Sequence, residues 1–99
     1  MATLTFTASA DADLARIVDE LATKAGVRTA KRYAAEFDAL FDRLAELPET
    51  GAPRPKLGLR VRIGIVAPYL AIYDYEGNAV TVLRVLHGRR NTKRLIRSR

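Results

Sequence analysis

The chain has 99 residues, 48% hydrophobic and 28% charged, enough for one domain with a single modest core over residues 1–99 and too short for two. It contains no cysteine, which excludes disulfides and thiolate metal sites, and no apolar run approaches the ~20 residues of a membrane span. The net charge of +6 is divided unevenly: residues 1–50 carry 6 Lys/Arg against 9 Asp/Glu, a net of −3, while residues 51–99 carry 11 against 2, a net of +9. Such asymmetry favours a directed basic surface meeting an acidic partner over charge that only solubilises. The N-terminus Met-Ala-Thr-Leu-Thr-Phe-Thr lacks the basic start and apolar stretch of a secretory signal, so a soluble cytoplasmic protein is expected.

In chain order, Leu4-Thr-Phe-Thr alternates as a short strand with Leu4 and Phe6 inward. Ser9 is placed to cap a first helix over about residues 10–24, with Asp11 and Asp13 suiting the dipole of its first turn. Ala10, Leu14, Ile17, Val18, Leu21 and Ala25 recur at helical spacing, and Gly26 fits the position just past the end. A second helix is expected from near Thr29, with Ala30, Tyr33, Ala34, Phe37, Leu40, Phe41, Leu44 and Leu47 as its stripe; Pro48 forbids continuation. Three prolines and a glycine within residues 48–56 predict an irregular loop.

Three strand signals follow. Leu59, Val61, Ile63 and Ile65 alternate with Arg60, Arg62 and Gly64. Residues 69–75 form the next strand, and Glu76-Gly-Asn78 reads as a hairpin turn. Residues 80–86 are apolar in both phases, with Val80, Val82 and Leu86 pointing one way and Thr81, Leu83 and Val85 the other, as in a strand covered on both faces. Asn91 is placed to cap a short helix over residues 92–97, the alternative being a disordered tail. The fold class is therefore α+β, in the order β-α-α-β-β-β. A helical hairpin covers one face of an antiparallel-dominated sheet. If Leu59 and Val61 face the helices, Arg60 and Arg62 make the opposite face basic and exposed.

The last strand ends in a cationic cluster, with Arg84, His87, Arg89 and Arg90 followed by Lys93 and Arg94. Leu47-Pro-Glu-Thr-Gly51, the Arg60/Arg62 pair, Tyr69-Leu-Ala-Ile-Tyr73 and above all Leu83-Arg-Val-Leu-His-Gly-Arg-Arg90 resemble the ParE branch of the RelE/ParE toxins of type II toxin–antitoxin systems. The resemblance implies a ParD-like antitoxin with a ribbon-helix-helix DNA-binding domain. Its C-terminal segment would wrap the toxin along the helical hairpin and the sheet, with Leu14, Val18, Leu21, Tyr33, Phe37 and Phe41 as the candidate contacts. Operator DNA would be bound only through the antitoxin, and neither cofactor nor metal is implied.

The resemblance also implies two targets. ParE-like members poison DNA gyrase and block replication; RelE-like members cut messenger RNA on the ribosome. Gyrase binding requires a positive rim, for which Arg60, Arg62, Arg84, His87, Arg89, Arg90, Lys93 and Arg94 are the candidates. Metal-independent RNA cleavage requires a general base, a general acid and cations on the phosphate, for which Arg62, Arg84 and His87 are the candidates. RelE-like enzymes draw on mid-chain lysines and a Tyr or His near the C-terminus; here the second half has only Lys56 and Lys93, and no tyrosine follows Tyr75. The gyrase reading therefore leads, the ribonuclease reading follows, and a basic nucleic-acid-binding module without toxin activity is the remote third.

Overall fold

The chain reverses at Gly26, whose φ of 95° is both the end of one helix and the start of the next. In the computed structural model, which describes residues 1–88, α1 (Ala8–Ala25) and α2 (Val27–Glu46) therefore meet across one residue. Glycine alone adopts this left-handed backbone without steric cost, which lets α2 begin two residues earlier than the Thr29 expected from periodicity. α2 ends before Pro48, as the missing proline N–H requires. Residues 48–50 then form a single 3-10 turn.

β1 (Thr3–Phe6) precedes the hairpin; β2 (Ala52–Pro53), β3 (Val61–Val66), β4 (Tyr69–Glu76) and β5 (Ala79–His87) follow it. They form one five-stranded sheet in the order β1-β5-β4-β3-β2. β1 lies parallel to β5 and every other pairing is antiparallel. The α+β helical-hairpin architecture expected from the sequence is the one observed. The possible C-terminal helix over residues 92–97 lies outside the described residues.

Four details differ from the sequence reading. The cap of α1 is Thr7, whose hydroxyl accepts from the Ala10 amide at 3.0 Å; Ser9 lies inside the helix. The proline-rich segment contains a strand after all. β2 is two residues long and sits at the sheet edge, where Pro53 gives up an outward N–H that no strand needs. The phase of β3 is opposite to the one expected: Val66 joins the core beneath the helices and Gly64 lies against Leu40 of α2. Val61 and Ile63 instead pack with Leu57, Ile72 and Leu86 on the far face, and Leu59 is 92% exposed. The sheet face away from the helices is thus partly closed by a small apolar cluster and is not the basic surface anticipated.

The fourth difference is a β-bulge. The β4–β5 register pairs Ile72 with Arg84 but Tyr73 with Val82, leaving Leu83 as an extra residue. A bulge shifts the alternation by one. Val80, Val82 and Val85 therefore all belong to the main core, while Leu86 joins the far-face cluster. The main core lies between hairpin and sheet, where Ala10, Ile17, Phe37, Leu40, Phe41 and Leu44 meet Ala71, Tyr73 and the three valines. Full burial of each valine, leucine, isoleucine or phenylalanine side chain among them contributes about 1.5–3 kcal/mol.

Candidate functional site

β5 outruns β1. The parallel pairing stops at Phe6 opposite Val82, while β5 continues to His87, so its outer edge needs other hydrogen-bond partners. The chain leaving β1 supplies them. The Thr7 amide donates to the Val82 carbonyl at 3.0 Å, and the Thr7 hydroxyl donates to the Leu83 carbonyl at 2.8 Å. Two turns into α1, Asp13 accepts from the Val85 amide at 3.0 Å. One carboxylate thus replaces a strand residue at the bulge.

Asp13 is 1% exposed and takes three further hydrogen bonds. Its Oδ2 accepts from Arg84 Nε at 2.7 Å, and its Oδ1 from Arg84 Nη2 at 3.0 Å and Arg16 Nη2 at 3.1 Å. Burial pushes the Asp13 carboxyl up. The bonds from Arg84 and Val85, the charge of Arg84 and the bond from Arg16 outweigh it and hold the carboxyl below the usual range. The two-pronged bond to Asp13 correspondingly holds the Arg84 guanidinium above its ordinary value against desolvation.

The role of Asp13 was missed in the sequence, where it reads as a helix-dipole acid. A signal was available: Ala10, Asp13, Leu14 and Ile17 share one face, and an acid on a buried stripe demands a cation. Arg84, the one charge in an otherwise apolar strand, is that cation.

Arg62 is committed elsewhere. Its Nη1 donates to the Glu49 carbonyl at 2.9 Å and the Gly51 carbonyl at 2.8 Å. Tyr73, wholly buried, closes the same knot by donating to the Pro48 carbonyl at 2.6 Å and accepting from the Gly51 amide at 2.9 Å. Burial raises the Tyr73 phenol, tempered by the Gly51 amide and the Arg62 charge. The Leu47-Pro-Glu-Thr-Gly51 segment is therefore fastened to β3 and β4 by its own backbone.

The remaining candidates are spread over the molecule. Arg60 pairs with Glu76 at 2.9 Å, both more than half exposed, an ion pair of small energetic weight. His87 is half-buried and meets the Tyr69 ring edge-on at 5.8 Å. That contact ends a run of aromatic contacts through Phe37 and Phe41 to Phe6. Arg62 and Arg84 spend their guanidinium groups on different elements, the 3-10 turn and α1, so the two do not converge on one point. Arg89, Arg90, Lys93 and Arg94 lie outside the described residues.

On the hairpin, Phe37 and Phe41 are 2% and 6% exposed. They are core residues and are withdrawn from the contacts expected of a wrapping partner. Leu14, Val18, Leu21 and Tyr33 are half-buried and keep accessible apolar surface. Among the described residues no group of three His, Asp or Glu could hold a metal ion, and no helix is long and apolar enough to cross a membrane.

The order of elements and the helical hairpin have a counterpart among known proteins. The profile of the ParE toxin of type II toxin–antitoxin systems matches residues 4–92. The chain belongs to this family. Among curated ParE proteins, toxin ParE3 of Caulobacter vibrioides is 32% identical over 79 residues, 80% of this chain and 79% of its own. A solved structure described as a chromosomal ParDE toxin–antitoxin system from P. aeruginosa superposes with a TM-score of 0.74 at 26% identity. The superposition covers 88% of this chain and 96% of that one. The ParE fold thus accounts for nearly all of the chain.

Proposed function

We propose that this ParE-family toxin acts by engaging DNA gyrase and blocking replication in the cytoplasm, and that a cognate ParD-like antitoxin holds it inactive. The observation that carries the target is the commitment of Arg62 to the Glu49 and Gly51 carbonyls and of Arg84 to Asp13. Metal-independent RNA cleavage needs cations free to meet a developing phosphorane, in one place, beside an acid and a base. The arginines offered for that task are holding the fold together. A binding poison needs no such set. It needs a positive rim, which the Arg89, Arg90, Lys93 and Arg94 run supplies in charge.

The antitoxin partner rests on family membership and on the resemblance to a ParDE system. The half-exposed Leu14, Val18, Leu21 and Tyr33 give the hairpin an apolar strip suited to an amphipathic segment. A ribbon-helix-helix domain on that antitoxin would carry the pair to operator DNA.

The deciding experiment adds the purified chain to a gyrase supercoiling assay and, in parallel, to a translation extract. Loss of supercoiling with trapped DNA cleavage, reversed by the antitoxin, is the expected result. Cuts in messenger RNA at the ribosomal A site with supercoiling intact would transfer the function to RNA.

A further inference from the structure

The acidic half of the chain contains a basic turn. Residues 24–32, which carry the chain from α1 across Gly26 into α2, hold four Lys/Arg (Lys24, Arg28, Lys31 and Arg32) and no Asp/Glu. The rest of residues 1–50 holds 2 Lys/Arg and 9 Asp/Glu. All four cations are exposed, and no acid stands in the first turn of α2. Glu20 and Glu36 approach Lys24 and Arg32 only to 3.8 Å, in exposed pairs of small energetic weight. Among the described residues Arg28 and Lys31 have no ion-pair partner.

Packing sets this turn beside the end of β5. The Arg32 guanidinium lies over the Tyr33 ring, 5.2 Å from its centre. Tyr33 meets Tyr69 edge-on at 5.8 Å, and Tyr69 meets His87 in the same way at 5.8 Å. The Gly88 amide is fixed in turn by the Pro68 carbonyl at 2.8 Å. The cationic stretch that ends at Arg32 and the one that follows Gly88 are therefore rooted at the same end of the fold. The other end of α2 differs, with Arg43 set among Asp42, Glu46 and Glu49.

We infer that the hairpin turn is a contact for the phosphate backbone of duplex DNA, enlarging the basic rim beyond the strand end. The inference rests on the gyrase reading and deepens it, by turning this surface toward the DNA that gyrase holds. The chemistry favours phosphate over a folded protein. Protein interfaces are centred on apolar and aromatic anchors and are poor in lysine, whereas DNA interfaces are polar and strongly positive. The turn offers four cations and one exposed large apolar residue, Val27, while Tyr33 is already engaged by Arg32 and Tyr69. An anionic membrane would ask for an apolar face that Val27 alone does not make. Arg28 and Arg32 stand one helical turn apart, about 6 Å along the axis, and duplex DNA carries a charge every ~1.7 Å, so several phosphates fall within reach.

The test follows the anisotropy of a short fluorescent DNA duplex titrated with the full chain over a range of salt. Wild type should bind, with log K falling linearly as log salt rises. Lys24→Gln/Arg28→Gln/Lys31→Gln keeps good helix formers and the Arg32–Tyr33 contact. It should reduce that slope by about 2–3 and the affinity about tenfold, with the melting temperature near wild type. Each single replacement should reduce the slope by about one. Arg43→Gln/Arg54→Gln/Lys56→Gln removes the same charge away from the turn and should change both far less. In the supercoiling assay the turn variant should need several times more toxin than wild type. A turn variant that binds the duplex like wild type, or a control variant that loses as much, overturns the inference; so does tighter binding to an RNA duplex of the same sequence. If wild type ignores free duplex and the turn variant fails only against gyrase, the turn meets an acidic surface of the enzyme; the DNA contact is overturned and the gyrase reading stands. Slope and affinity lost as expected, with wild type leaving supercoiling untouched, uphold the contact and take down the gyrase reading instead.

Discussion

Asp13 of α1 and Arg84 of β5, 71 residues apart, meet in a two-pronged ion pair of 2.7 and 3.0 Å at the one place where β5 bulges and has lost its outer strand. The same carboxylate holds the Val85 amide, so a single side chain closes the sheet edge, orients α1 and neutralises the arginine. Removing one partner of such a pair costs more than the pair itself contributes, because the other is left buried or unbonded.

Asp13→Ala should therefore destabilise the chain by about 2–3 kcal/mol, toward the low end for a broken buried pair because Arg84 can still reach water. In a domain of this size that is a fall in melting temperature on the order of 10–20 °C. Arg84→Ala should lower it as well. The Asp13→Ala/Arg84→Ala double variant should lose clearly less than the sum of the two. Strict additivity in a double-mutant cycle would show that the pair is not coupled.

The same contact sets an acid limit. The folded Asp13 carboxyl lies below its unfolded value, so the folded state binds fewer protons and gains stability where the unfolded carboxyl is ionised. That gain is fully present above about pH 5 and drains away as pH falls through the ordinary carboxylate value of about 3.9 toward the folded one. Urea titrations from pH 7 to pH 3 should show wild type losing stability more steeply than Asp13→Asn. Parallel curves would remove Asp13 from the acid response.

Tyr73→Phe keeps the buried ring and deletes the hydroxyl that joins Pro48 to Gly51. It should cost about 1–2 kcal/mol and leave two backbone groups without their partner. Gly51→Ala should be worse, since a Cβ there would run into the Tyr73 ring and the Ile63 carbonyl. Limited proteolysis should find new cleavage within residues 47–53 in both variants; protection equal to wild type would mean that the knot does not hold this segment.

Punctuation was legible in the sequence: Gly26 marks the reversal, Pro48 stops α2, and Glu76 to Asn78 turn the last hairpin, because each acts through its own backbone chemistry. Strand phase was not. On β3 the apolar row of Val61 and Ile63 turns away from the helices and the row of Gly64 and Val66 meets them, because a second apolar cluster with Leu57, Ile72 and Leu86 lies on the far face. On β5 both rows are apolar and the Leu83 bulge reverses them midway, so alternation alone cannot say which row meets the helices. The Asp13–Arg84 pair is invisible to local rules because it joins two elements at opposite ends of the chain. Thr7 outcompetes Ser9 as the cap for a similarly long-range reason, since its hydroxyl can at once bond the Leu83 carbonyl of a strand 76 residues on.

If Arg62 and Arg84 serve the fold, the proposed contact with gyrase falls to the basic run that follows β5. Arg89, Arg90, Lys93 and Arg94 are four cations within six residues, separated by 71 or more positions from the hairpin residues Leu14 and Val18. Replacing all four by Gln should abolish inhibition of supercoiling while leaving the melting temperature and the affinity for the antitoxin within about twofold of wild type. Restoring Arg89 and Arg90 alone should return part of the inhibition, and the residual effect should weaken as salt rises, as an electrostatic contact does. Removal of residues 91–99 is the harsher version of the same experiment and should likewise separate poisoning from antitoxin binding. A quadruple variant that still inhibits gyrase at wild-type concentrations would place the target contact on the helix-backed sheet itself, with Arg60 and His87 the first residues to substitute next.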